Sequence, residues 1–139
     1  MRFDHSVTVN APAERVWAIF SDVANWPEWT PTISEVERLD EGPLRVGART
    51  RVRQPKLPVA VWEVTELVDG HYFEWVSRAP GIRTTGGHRV TETPEGTVAT
   101  ATVIQEGSLG WLFGRLIAKL TKEYIALECE SLKKVSERQ

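Results

Sequence analysis

From Ser108 to Glu137 the chain contains no proline, and Leu109, Leu112, Phe113, Leu116, Ile117, Leu120, Tyr124, Leu127, Ser131 and Val135 recur at three- and four-residue steps. That spacing predicts one helix over about 109–136, roughly 42 Å long at 1.5 Å per residue. Lys119, Lys122, Glu123, Glu130, Lys133 and Lys134 fall on its other face. A helix with one apolar stripe needs an apolar surface to lie on. The rest of the chain offers a sheet for that purpose.

The preceding segments alternate as strands do. Phe3, His5, Val7 and Val9 share one side of a first strand. Asn10 then reads as the cap of a helix with Pro12 in its first turn and Val16, Ile19 and Phe20 on its apolar face. In DVANWPEWTP, Pro27 and Pro31 allow only a short second helical turn carrying Trp26 and Trp29. A strand with a bulge is expected at about 33–40. At 48–54, Ala48, Thr50 and Val52 face the interior, while Arg49, Arg51 and Arg53 form a solvated outer row. Asp69-Gly70 marks a hairpin between 59–68 and 71–78. Pairing Val68 with His71 puts Trp62 and Val64 on one face with Phe73 and Trp75.

A third hairpin joins 83–93 to 97–106 through Thr93-Pro94-Glu95-Gly96. Read as a type I turn closed by a glycine bulge, it sets His88 opposite Thr102 and Val90 opposite Thr100, with Ile104 on the same side. A tight two-residue loop would instead align His88 with Ala101. The resulting order is strand, two short helices, six strands and a long helix. This is an α+β chain with a seven-stranded antiparallel sheet, read as one domain over residues 1–139.

Composition narrows the function. Lys and Arg total 17 against 19 Asp and Glu, a net charge of −2, so no basic footprint for nucleic acid is expected. The single cysteine, Cys129, allows no internal disulfide and fits a reducing compartment. The first residues do not read as a secretory leader, and no apolar run reaches the ~18–20 residues that span a bilayer. A cytoplasmic protein without membrane insertion is expected. His5, His71 and His88 are scattered, giving no metal-ligand spacing. Neither a nucleophile elbow nor a phosphate loop is present, and no cofactor is indicated. His88 is the only candidate for catalysis, as an inward general acid or base. A hydrogen bond to a neighbouring hydroxyl such as Thr102 is its more ordinary role.

SVTVNAPAERVWAIFSDVANWPEW resembles the START-like, or Bet v 1-like (SRPBCC), superfamily, and within it the polyketide cyclase/dehydrase group. The resemblance continues through VWEV at 61–64, FEW at 73–75, GGHRV at 86–90, Gly107 and the final helix, so it spans the whole chain. It implies a helix-grip fold, in which a curved sheet and the C-terminal helix enclose a cavity for a small hydrophobic molecule, lipid- or polyketide-like. The implied ligand-binding residues are Trp26, Trp29, Trp62, Val64, Phe73, Trp75, His88, Val90, Thr100, Thr102, Ile104, Phe113, Leu116, Leu120 and Tyr124. Such a protein would work as a monomer or homodimer. In the group's aromatase/cyclases a tryptophan, a tyrosine and an arginine carry the function. Trp26 matches the first, whereas Ile33 and Val68 stand near the other two positions. Cyclisation of a poly-β-ketone needs groups that polarise carbonyls and move protons, so the activity is not carried over. A cyclase- or dehydratase-type enzyme and a protein-interaction module of the same fold are the alternatives.

Overall fold

The computed structural model describes residues 1–138. Strand β1 (Arg2–Val9) leads into helix α1 (Ala13–Phe20) and a 3₁₀ turn at Val23–Glu28. Six strands follow: β2 (Glu35–Arg38), β3 (Arg49–Arg53), β4 (Ala60–Val68), β5 (Tyr72–Ala79), β6 (Ile82–Thr93) and β7 (Gly96–Glu106). The chain ends in α2 (Gly110–Leu116) and α3 (Ala118–Glu137). All seven strands form one antiparallel sheet in the order β1-β7-β6-β5-β4-β3-β2. The helices cover one face of it, in a helix-grip arrangement.

Register fixes what that covered face presents. One row across the sheet runs His5, Ala101, His88, Phe73 and Leu67, and the next runs Phe3, Val103, Gly86, Trp75 and Val64. Large rings at the β5 side therefore face small residues on β6 and β7. Gly86 has a steric reason for being glycine, since a Cβ there would lie 2.9 Å from Nε1 of Trp75. The core closes under α1 and the 3₁₀ turn, where Val16, Phe20, Val23 and Trp26 pack with Phe73 and Val90. Trp17 is buried and donates its indole N–H to Asp69 at 3.2 Å, tying α1 to the β4–β5 turn.

Five expectations need correction. Pro12, with no side-chain cap, stands at the start of α1, where its carbonyl accepts from Arg15 and Val16. Asn10 instead donates its backbone N–H to the Glu137 carboxylate at 2.7 Å. The expected bulge at 33–40 lies elsewhere, because β2 is short and pairs with β3 without a shift.

In the β4–β5 hairpin, Val68 pairs with Tyr72, leaving Asp69, Gly70 and His71 in the turn, with Gly70 at φ +81°. The turn is one residue longer than expected, and a bulge at Thr65 absorbs the difference. Val64 consequently sits opposite Trp75, as the sequence pattern indicates.

In the β6–β7 hairpin the tight alternative holds. Thr93 pairs with Gly96 across Pro94-Glu95, so His88 lies opposite Ala101 and Val90 opposite Ala99. A one-residue slip turns a strand over. Thr100, Thr102 and Ile104 accordingly point to the outer face, and Thr102 donates to Asp4 at 2.7 Å.

The C-terminal segment is two helices. Ile117, at φ −108° and ψ 13°, ends α2 and precedes α3. Gly110 and Gly114 press α2 onto β7, where a Cβ at Gly114 would lie 3.2 Å from the Cβ of Gln105. The path of α3 is set separately, by Cys129 and Leu132 buried over β1. The break shifts the inward stripe: Leu116 is 75% exposed, and Thr121, Ile125, Glu128, Leu132 and Ser136 face in.

Candidate ligand cavity

Between the sheet and the two C-terminal helices lies a cavity of about 450 Å³. It falls within the range of small-molecule sites, roughly 300–1,000 Å³. Small residues make the space: Gly86 and Gly87 on β6 and Ala101 on β7 form its floor. Trp26, Trp62 and Trp75 form one wall, with Trp75 at ring distances of 5.3 Å from Trp26 and 5.6 Å from Trp62. Phe113 and Ile117 at the α2–α3 junction, with Ile125 and Tyr124 on α3, close it from above. The loop at Leu57–Val59 also lines it, as do Arg78 and Ala79 at the end of β5 and Ile82 at the start of β6.

Of the residues expected to bind a ligand, Trp26, Trp62, Trp75, His88, Phe113 and Tyr124 line the space. Trp29 packs edge-on against Trp26 behind the wall, at 6.2 Å. Val64, Phe73 and Val90 are buried in the core beside the cavity and support its lining. Leu120 is half-buried and does not line the cavity. Thr100 and Ile104 border a smaller outer cleft, and Leu116 faces solvent. Thr102 borders both spaces, but its hydroxyl is turned outward to Asp4. Ile33 lines the cavity, while Val68 is half-exposed.

His88 is enclosed. Its ring stacks on Phe73 at 4.1 Å, and Phe20, Trp26 and Trp75 surround it at 5.2–5.5 Å. The hydrogen-bond partner of Nδ1 is the Phe73 carbonyl at 3.3 Å, which replaces the expected Thr102. Burial lowers its pKa from 6.5 to about 3, with the Phe73 carbonyl opposing, so the ring is neutral at ordinary pH. The neutral imidazole donates from Nδ1 and keeps Nε2 as an acceptor.

Glu128 escaped the sequence reading. It projects from α3 into the cavity, is 8% exposed, and its Oε1 is buried without a hydrogen-bond partner. Desolvation raises its pKa from 4.5 to about 7. The available signal was the recurrence Thr121, Ile125, Glu128, Leu132 along one face; a stripe anchored on leucines and Tyr124 passed over the carboxylate. Cys129 next to it is buried with its pKa pushed up to about 12, by burial first and then by Glu128, which leaves the thiol unreactive. Among the described residues no group of three or more His, Cys, Asp or Glu side chains is placed to hold a metal ion. No helix among them is long and apolar enough to cross a membrane.

Known proteins share this frame. A START superfamily protein from Mycobacterium smegmatis superposes with a TM-score of 0.74 at 19% identity, over 98% of this chain and 97% of the other. An aromatase/cyclase, Zhui, from Streptomyces sp. R1128 gives 0.70 at 18% identity, over 99% and 94%. The di-domain ARO/CYC BexL from the BE-7585A biosynthetic pathway gives 0.75 at 19% identity over the full chain. This chain spans about half of BexL's length (50%). At such identities the likeness establishes the fold. A family model described as polyketide cyclase/dehydrase and lipid transport matches residues 1–137, and the chain belongs to that family.

Proposed function

We propose that the protein binds a small hydrophobic molecule, lipid- or polyketide-like, in the cavity between the sheet and the C-terminal helices. The observation that carries this is the hollow itself, about 450 Å³ lined by three indoles and by Phe113, Ile117 and Ile125. Membership in a family that includes lipid transport agrees with it. Burying about 300 Å² of apolar ligand surface at about 25 cal/mol per Å² contributes roughly 7 kcal/mol before association costs. Those costs take several kcal/mol, so a generic apolar probe is expected to bind in the micromolar range.

His88 fits this reading as part of the wall. A base whose conjugate acid has a pKa of about 3 takes up a proton at neutral pH only against a cost of about 5 kcal/mol. Titration with 2-methylnaphthalene, followed by quenching of the cavity tryptophans, tests the proposal alongside native mass spectrometry of the purified protein. Saturable one-to-one binding or a copurifying apolar adduct is expected. No adduct, and no response at the solubility limit of the probe, would refute it.

A further inference from the structure

We infer that the cavity selects an apolar molecule bearing a hydrogen-bond donor, a hydroxyl or an amine N–H, which is received by Glu128. The inference rests on the binding function proposed above and gives its ligand a chemical class.

Four polar side chains of the wall already donate hydrogen bonds within the protein. Thr84 donates to Oε1 of Gln105 at 2.7 Å. The Gln54 amide donates to the Thr32 carbonyl at 3.4 Å, and His88 Nδ1 to the Phe73 carbonyl at 3.3 Å. The Tyr124 hydroxyl donates to the carbonyl of Pro55. The first bond joins two wall residues, and the other three tie a wall residue to the structure beside the cavity. Glu128 differs, since among the described residues it is the cavity-lining side chain with a fully buried polar atom left unpartnered. A buried, unpaired carboxyl is costly, and the cost persists unless a partner reaches it. Glu128 itself lines the cavity, so a ligand there is the group positioned to supply a partner to its carboxyl.

Chemistry then restricts the ligand. An ionised carboxylate only accepts hydrogen bonds, so it rewards O–H or N–H and repels an anion. Its raised pKa agrees with the absence of a cation beside it, and a bound donor would draw it back toward the ionised form. Beyond the donor, the wall offers indole and aliphatic surface. An aromatic or alicyclic alcohol, phenol or amine fits both features, and a fatty-acid carboxylate does not.

The test uses a pair of probes of matched shape, 2-naphthol and 2-methylnaphthalene, titrated into the wild type, Glu128→Leu and Glu128→Gln at pH 8. The measured quantity is the ratio of the two affinities within each protein. Wild type should prefer 2-naphthol, and the ratio should fall at least tenfold in Glu128→Leu while 2-methylnaphthalene still binds. Glu128→Gln, which keeps an acceptor without the charge and nearly the same volume, should fall between them. A ratio unchanged in both variants would overturn the assignment and leave the cavity a binding site. Failure of both probes to bind wild type would overturn the binding function, and this inference with it. A third probe, 2-naphthoate, should bind wild type less tightly than 2-methylnaphthalene; equal or tighter binding would also count against a receiving carboxylate.

Discussion

At the scale of single residues, two buried titratable groups with opposite responses to pH stand in the interior. Glu128 has a folded-state pKa of about 7 against an ordinary 4.5. Between those values the native state holds the proton more tightly, so this group lowers stability as pH rises from about 4.5 to 7. The full loss, reached above 7, is about 3 kcal/mol. His88, at about 3 against 6.5, works the other way, and its contribution is lost as pH falls from 6.5 toward 3. Glu128→Gln removes the first response and keeps the second. The variant should exceed wild type by up to about 3 kcal/mol in urea unfolding at pH 8 and differ little at pH 4.5. His5 on β1, His88 on β6, and Tyr124 and Cys129 on α3 are present in both proteins, so the difference curve reports Glu128. A difference that is flat with pH would mean the carboxyl is solvated.

At the scale of elements, the arginine row on β3 behaves as a solvated outer face. Arg49, Arg51 and Arg53 are exposed, Arg51 pairs with Glu37, and Arg53 lies 3.3 Å from Glu35. Exposed pairs contribute about 0–1 kcal/mol, so replacing all three arginines by Gln should lower stability by no more than about 1–2 kcal/mol in chemical denaturation. A larger loss would show that the row has a buried role. Helix α2 is more exacting. Gly114→Leu would drive a side chain into Gln105 and Met1, lifting Phe113 and Ile117 from the cavity. Hydrogen exchange should then accelerate over residues 110–117 with the β-sheet still protected, and probe affinity should drop at least tenfold. Full protection of α2 in that variant would contradict its close seating on β7.

Much of this was legible in the chain. Alternation at 48–54 gave the correct faces of β3, and the aromatic spacing gave the pairing of Val64 with Trp75. The third hairpin was not, because Pro94-Glu95-Gly96 suits both a bulged and a two-residue turn, and local sequence does not choose between them. Gly96 settles it through a distant neighbour, since a Cβ there would meet the Val9 carbonyl at 2.8 Å. The break at Ile117 was hidden for a similar reason. Helix propensity and hydrogen bonding continue on both sides of it, and only the packing of glycines on Gln105 bends the path.

At the scale of the whole molecule, the central claim is that the interior is hollow where a sheet and helix would ordinarily interdigitate. Small residues on β6 and β7 face large rings on β4 and β5, and the two C-terminal helices bridge the gap. Such a void loses dispersion contacts that a filled core would have, and a ligand supplies them. The expected register sets Thr102 opposite His88; in the observed one that position belongs to its neighbour Ala101, 4% exposed. Ala101→Phe therefore tests the hollow most directly, by unfolding and by 2-methylnaphthalene titration of the same preparation. A phenyl ring entering empty space should change the unfolding free energy by less than about 1 kcal/mol while abolishing probe binding. Overpacking of a filled core would instead cost about 1–3 kcal/mol or more. A strongly destabilised variant, or one that still binds the probe with wild-type affinity, would contradict the account.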